Sequence, residues 1–386
     1  MPIPYVKIDF QNGTIGTVAP KADGVVGIVA MGEPTAKLAA LVPAIVYSLD
    51  DAETNYGINE VDNEALYLFL KRFYEEAGEG TESWFMLVPN SVTVADMFEV
   101  NGLNLCNSSK GKIRALFALF VPDSSYTPSI VEGLDGQVWA ALTKAQTLAD
   151  KQTTDKFAPI TCFIWGNGFA GNAATIRDLR TGLNNRVGII VTDDVNNCAN
   201  VLGRFAKNSV HVHIGKVLDG PLKTENWKIA NTPSENYLGL QVLNDKGYLF
   251  GRTFTGKDGY FVADDNLATA YTDDYCFLTR RRTIDKAYRI TYTTMVNFIN
   301  QEVPINPDGS IQHIFIKGWE TTLASAIEAQ MAGELSATQS DTGVQVFIDP
   351  AQNVVATGRI EVAVKVRPYG YAKYIEVKLG FMVSSN

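Results

Sequence analysis

Residues 160–194, ITCFIWGNGFAGNAATIRDLRTGLNNRVGIIVTDD, hold the side chains best spaced for chemistry. Gly166, Gly168 and Gly171 fit GxGxxG between an apolar run and a helix-like pattern, and a second apolar run ends at Asp193. In a dinucleotide-binding turn such glycines let a pyrophosphate approach a helix N-terminus, and an acidic residue at that distance holds a ribose. Any tight strand-to-helix turn favours Gly and Asn as well, and this unit sits mid-chain rather than at the start of the alternating pattern. The glycines therefore give an alternative reading, an NAD(P)-binding oxidoreductase built on GNGFAG. The reading adopted is a structural turn without a cofactor.

Two further clusters invite chemistry. His211 and His213, in VHVHIG, would share one face of a strand, a spacing able to hold a metal. No third ligand can be named, and two polar residues on the solvated side of an edge strand explain the pair without one. Arg280, Arg281 and Arg282 form a basic triplet that a phosphate or nucleic acid could meet. On a helix they would point about 100° apart, so they make no single patch. Arg281 and Arg282 stand four and three residues before Asp285, which is ion-pair spacing. Asp264, Asp265, Asp273 and Asp274 lie upstream as further partners. The expectation is a charge network of Arg281, Arg282 and Asp285 that organises the first turn of a helix. GxSxG, HExxH and GxxxxGK[ST] are absent from the sequence, and the carboxylates are scattered. No catalytic residue, cofactor or metal is assigned.

The totals point the same way. Lys and Arg number 33 against 42 Asp and Glu, a net charge of −9, whereas a dedicated nucleic-acid binder needs a cationic surplus. A chain of 386 residues, 46% hydrophobic, is globular and long enough for two or three domains. Cys106, Cys162, Cys198 and Cys276 show no metal-type spacing and read as buried free thiols of a reducing compartment. MPIPYVKIDFQNG lacks the pattern of a secretory signal, and no apolar run is long enough to span a bilayer. The expectation is a protein made in a cytoplasm, without membrane insertion.

The elements that must position these residues follow from periodicity. GVVGIVAMG, PAIVYS, WFMLVP, IRALFALFVP, ITCFIW and VGIIVTDD are short continuous apolar runs, the mark of strands buried on both faces. Between them, residues 64–77 align Leu66, Phe69, Leu70, Phe73 and Ala77, and residues 135–151 align Val138, Leu142, Ala145 and Ala149. A third pattern aligns Ile176, Leu179 and Leu183. Strands alternating with helices predict an α/β domain with a largely parallel sheet and flanking helices.

After Pro221 the pattern changes. YLGLQVL and GYLFGRTF read as short strands. One helix carries Ile284, Tyr288, Tyr292, Met295 and Ile299 on one side, and a second carries Trp319, Leu323, Ile327 and Met331. GVQVFIDP, GRIEVAVKVRP and KYIEVKLGFMV alternate tightly, which predicts antiparallel, half-exposed strands. The domains read as an N-terminal arm at 1–20, an α/β domain at 21–222 and an α+β C-terminal domain at 223–386 ending in an extended arm.

The order of these pieces resembles the sheath proteins of contractile phage tails and related contractile injection machines. GVVGIVAMGEPTAKLAALVPAIVYSLDDAETNYG looks like that family's leading strand and turn, with its Ser…Asp…Tyr/Phe-Gly segment. VWAALTKAQTLADKQTTDKFAPITCFI is similar to its central helix and following strand. VHIGKVLDGPL resembles its Ile-Gly-Arg-Val turn, with Lys216 here, and the stretch around RRRTIDKAYRI resembles its Arg-Arg helix start. The resemblance implies a subtilisin-like α/β domain without catalytic residues, and a non-enzymatic subunit polymerising as stacked hexameric rings around an inner tail tube. It implies strand arms exchanged with neighbouring subunits, here Tyr5, Val6, Lys7, Ile8, Asp9 and Phe10 at one end. At the other end the arm is Tyr374, Ile375, Glu376, Val377, Lys378 and Leu379. It further implies inner-tube, baseplate and tail-terminator partners, and a place in the bacterial cytoplasm during assembly and then in a virion tail or injection particle. A monomeric, inactive protease-like binding module is the remaining rival.

Overall fold

The six apolar runs become the six strands of one sheet. In the computed structural model, which describes residues 22–123 and 125–381, these are β1 (Val26–Met31), β2 (Ala44–Val46), β3 (Ser83–Val88), β4 (Ala115–Leu119), β5 (Thr161–Trp165) and β6 (Val187–Ile190). Their order is β2-β3-β1-β4-β5-β6, and every pairing is parallel except β2 with β3. β1, β3 and β4 are buried at every residue, as continuous Val/Ile/Leu runs require when both sheet faces are covered.

Among the described residues the first unit, which ends at Val296, holds four long helices: α1 (Glu64–Ala77), α2 (Gly136–Thr154), α3 (Asn196–Lys207) and α4 (Leu278–Met295). The predicted inner face of α1, Leu66, Phe69, Leu70, Phe73 and Ala77, is buried, with Phe69 stacked on Phe117 of β4. α1 packs directly against α3. A Cβ added at Gly203 would come within 2.7 Å of Glu76 Cβ and 2.8 Å of Phe73 O. The Arg204 guanidinium closes that contact, donating from Nε to Glu76 Oε1 at 2.6 Å while both side chains are buried.

Two of the predicted elements take another form. Residues 173–182 do not form a helix; a short 3₁₀ turn at Leu179–Thr181 is followed by Leu183–Asn184, which pairs with Ala268–Thr269. Asp178 caps that turn, and Arg180 reaches Asn266 Oδ1 at 2.5 Å and Thr269 O at 3.1 Å. These tertiary bonds outweigh three apolar residues at helical spacing. In YLGLQVL, Leu240–Asp245 is a short helix rather than a strand, with Leu243 buried. GYLFGRTF does supply a strand, Gly251–Phe254, in a hairpin with Lys257–Val262.

α4 turns the other way from its apolar pattern. Its buried residues are Leu278, Thr279, Arg281, Arg282, Thr283, Asp285, Ala287 and Ile290, whereas Tyr292 is exposed and stacks on Phe157 at 4.1 Å. The inward face is therefore largely polar. Ion pairs and hydrogen bonds decide its orientation.

The second unit, from Asn297, is built on α5 (His313–Gln330) and an antiparallel pair, β7 (Val344–Ile348) and β8 (Val362–Val366). Ile316, Trp319, Leu323 and Ile327 are buried along α5, with Trp319 stacked on Phe298 at 4.8 Å. Glu320 Oε1 accepts from Ile348 N at 2.8 Å, tying β7 to the helix. The predicted last strand, as far as it is described, makes no ladder with the described residues.

Candidate functional site

The GxGxxG turn is filled by protein. A Cβ on Gly168 would lie 2.8 Å from Ile130 Cδ1 and 3.1 Å from Asp135 N, and one on Gly171 would lie 2.9 Å from Ala230 Cβ. Asn167 O accepts from Asp135 N at 2.9 Å, and Asp135 caps α2 through Oδ1 to Gln137 N at 3.1 Å. The N-terminus of α2 nearest the loop thus already holds a carboxylate. Asp193 is used too: its oxygens accept from Ala230 N at 2.8 Å and Asn231 N at 2.6 Å, both residues at left-handed φ. What spacing suggested as a ribose ligand is the cap of a strained turn.

His211 and His213 lie in turns rather than on a strand. His213 Nε2 stands 3.2 Å from Asp264 Oδ1 and 3.0 Å from Asp265 Oδ1, a trio with metal-ligand atom types. The ring's other nitrogen decides what the trio does. Nδ1 stands 3.0 Å from Gly215 N, which donates to it once the ring is neutral, so the neutral ring keeps its one proton on Nε2, facing the carboxylates. A metal on Nε2 would need that proton moved to Nδ1, against the Gly215 N–H. Burial pulls the imidazole pKa down, but Asp265 and then Asp264 raise it to about 9. Asp265 also anchors the start of α4, its Oδ2 accepting from Thr279 N at 2.9 Å and Oγ1 at 2.6 Å.

The charge network is centred on Asp285, as spacing suggested, but its second guanidinium is a different one. Arg281 donates to Asp285 Oδ1 from Nε at 3.1 Å and Nη2 at 2.7 Å. Arg186, at the head of β6, donates from Nη1 to Oδ2 at 2.8 Å and from Nη2 to Oδ1 at 3.0 Å. Arg282 is directed elsewhere, to Asn208 O at 2.9 Å and Asp23 O at 3.2 Å, with its guanidinium over the Phe205 ring at 3.9 Å. The turn of about 100° between neighbouring helical residues separates the two arginines' directions. Arg280 lies 5.3 Å over Phe277. The triplet is three separate contacts.

Sequence reasoning missed Arg186, Asp23, Lys286 and Arg289. Lys286 Nζ meets Asp23 Oδ2 at 2.7 Å and Arg289 meets Oδ1. Burial would raise the Asp23 pKa, yet Arg289, Lys286 and Arg282 hold it below the usual carboxylate range. The available signal was a charge abutting an apolar strand, Arg186 before VGII and Asp23 before GVVGIV.

Of the two expected arms, Tyr5 to Phe10 lie outside the described residues. The other, Tyr374 to Leu379, belongs to no helix or strand and is solvent-facing on both sides. Tyr374 is 83% exposed, Ile375 and Val377 78%, and Leu379 97%. Among the described residues no helix is long and apolar enough to cross a membrane.

Two family profiles match the chain: "DUF2586, N-terminal domain" over residues 3–266 and "DUF2586, C-terminal domain" over residues 274–386. No curated protein matches it. Among solved structures it is similar to a chain of the anti-feeding prophage (AFP) helical sheath in the contracted state. That match has a TM-score of 0.65 at 16% identity over 98% of this chain and 99% of that one. A chain of the PVC sheath complex, an extracellular contractile injection system in its contracted state, gives 0.62 at 15% identity over 98% of each. A chain of the AFP baseplate, 6-fold symmetrised, gives 0.61 at 14% over 99% of this chain and 100% of that one. At these identities the likeness is one of fold, and the fold is that of sheath-complex proteins.

Proposed function

The chain belongs to the DUF2586 family, and from that premise and its fold we propose that it is the structural subunit of a contractile tail sheath. Subunits polymerise as stacked hexameric rings around an inner tail tube and contract to drive the tube through a target envelope. The observation that carries this reading is the full-length likeness to the AFP sheath chain, 98% of one chain against 99% of the other. In this reading the α/β body is a subtilisin-like domain without a working active site. The partners are other copies of the chain, the inner tube protein, the baseplate and the tail terminator. The protein resides in the bacterial cytoplasm during assembly and then in a virion tail or injection particle.

The links between subunits are strands. An N-terminal arm within residues 1–20, carrying Tyr5 to Phe10, and a C-terminal arm, carrying Tyr374 to Leu379, add to sheets of neighbouring subunits. The exposed apolar positions Ile375, Val377 and Leu379 support this, since a strand with unsatisfied edges and bare apolar side chains is an aggregation hazard unless a partner covers it. Contraction needs no nucleotide in such a scheme: the extended lattice is held metastably and relaxes to a better-packed one.

Electron microscopy of the purified chain tests the reading, with long hollow six-start cylinders expected. Chains lacking residues 1–12, or everything after Val366, are expected to keep the α/β domain by circular dichroism and to sediment as small species. Normal-length cylinders from either truncation would rule out arm exchange.

A further inference from the structure

Asp23 stands three residues before β1, at the point where residues 1–21 join the described fold. Its carboxylate takes Lys286 on one oxygen and Arg289 on the other, both from α4. Its carbonyl accepts from Arg282 Nη2, which also donates to Asn208 O just past α3. Gly24 is pinned as well: a Cβ there would fall 2.2 Å from Ala206 O, so its backbone lies against the last turn of α3. Val25 O then accepts from Arg114 N at 2.8 Å, at the opening of β4. Three consecutive residues are fastened to α4, α3 and the start of β4 before β1 begins.

That fastening is not needed to place β1, which is central in the sheet and laddered on both sides along its length. It does change what happens when the chain is pulled from its N-terminal side. Without it, tension would act first on Val26 and load the β1 ladder bonds one after another from the end. With it, tension meets the two cations on Asp23 and passes into α4. α4 is in turn bonded through Asp285 to Arg186 at the head of β6, the strand at the far end of the sheet order. We propose that Asp23 is the mechanical anchor of the N-terminal segment, carrying load from residues 1–21 through α4 and the Asp285–Arg186 pair to the edge of the sheet. Its biological use rests on the reading of residues 1–20 as an arm between subunits; its test does not.

The full chain is pulled as a single molecule between an N-terminal tag and a thiol placed at the exposed position Leu238, as Leu238→Cys. A control pulls between Val61→Cys, also exposed, and Leu238→Cys, bypassing Asp23. Asp23→Asn is expected to speed unfolding under N-terminal load about tenfold, the effect of losing one charge-assisted hydrogen bond, and to leave the control geometry unchanged. Lys286→Gln, which keeps the carboxylate, is expected to act in the same direction. Equal speeding in both geometries would make Asp23 an ordinary stabilising residue, and no change under N-terminal load would remove the anchor; either result overturns the proposal. Neither geometry involves assembly, so a chain that forms no cylinders would count against the sheath reading alone.

Discussion

Arg186 grips Asp285 with both terminal guanidinium nitrogens, at 2.8 and 3.0 Å, across 99 residues of sequence. Arg281, one turn before Asp285 on α4, shares the same carboxylate. One acidic side chain thereby joins the polar face of a helix to the head of a sheet strand, and α4 stays docked with few apolar residues inward.

Removing that carboxylate leaves two buried guanidinium groups without their shared counter-ion. Asp285→Ala is expected to cost about 3–5 kcal/mol, in the range for breaking one member of a buried pair. Denaturant unfolding followed by circular dichroism measures it. Arg282→Ala, which loses the Asn208 and Asp23 carbonyl contacts, is expected to lower soluble yield or assembly. Salt-dependent DNA binding by the wild type that this substitution abolished would overturn the structural reading of the triplet.

His213 predicts an alkaline loss of stability. Its folded pKa is raised to about 9, above the ordinary 6.5, because Asp265 and Asp264 together outweigh burial. The folded state therefore binds the proton more tightly than the unfolded state. The stabilisation is fully present below 6.5 and is lost as pH rises through 9. Urea midpoints taken across that window should fall for the wild type and stay nearly flat for His213→Gln. Parallel curves would remove His213 as the source.

Two glycines on helices should respond with opposite signs. Glycine to alanine in a helix interior ordinarily gains up to about 1 kcal/mol. Gly318 on α5 has nothing within 4 Å of an added Cβ, so Gly318→Ala is expected to stabilise. A Cβ added to Gly203 on α3 would meet Glu76 Cβ and Phe73 O below 3 Å, so Gly203→Ala is expected to destabilise by about 1–3 kcal/mol as overpacking separates α1 from α3. Thermal unfolding of the pair reads both. A stabilising Gly203→Ala would mean that α1 and α3 are not so closely apposed.

The C-terminal segment should separate assembly from folding. Leu379→Asp combined with Phe381→Ser alters two side chains at 97% and 105% exposure, so the unfolding free energy should move by no more than about 0.5 kcal/mol. Cylinder formation should be lost. Cylinders of normal length from this variant would mean that the segment's apolar side chains are not what neighbours cover.

Residues 64–77 show how far local pattern reaches. Their apolar spacing names the buried face of α1 side chain by side chain, because one helix face meets one continuous core and needs no knowledge of which core it is. The runs at 26–31, 83–88 and 115–119 are likewise readable as doubly covered strands, since only a covered sheet accommodates apolar residues on both faces. The same reasoning failed at Ile176, Leu179 and Leu183, where Arg180 found its partners at Asn266 and Thr269, far along the chain. It failed again on α4, where the side chains that point inward are those whose charges meet Arg186, Asp23 and Asn208. Asp193 stands at a ribose-like distance from a glycine turn, yet it caps Ala230 and Asn231. Periodicity is a property of neighbours three or four residues apart, so the sequence by itself determined the elements with apolar faces and their alternation. A hydrogen bond or ion pair between distant residues has no such signature, so the tertiary structure alone decided where the charges of α4, the glycine turn and His213 are satisfied.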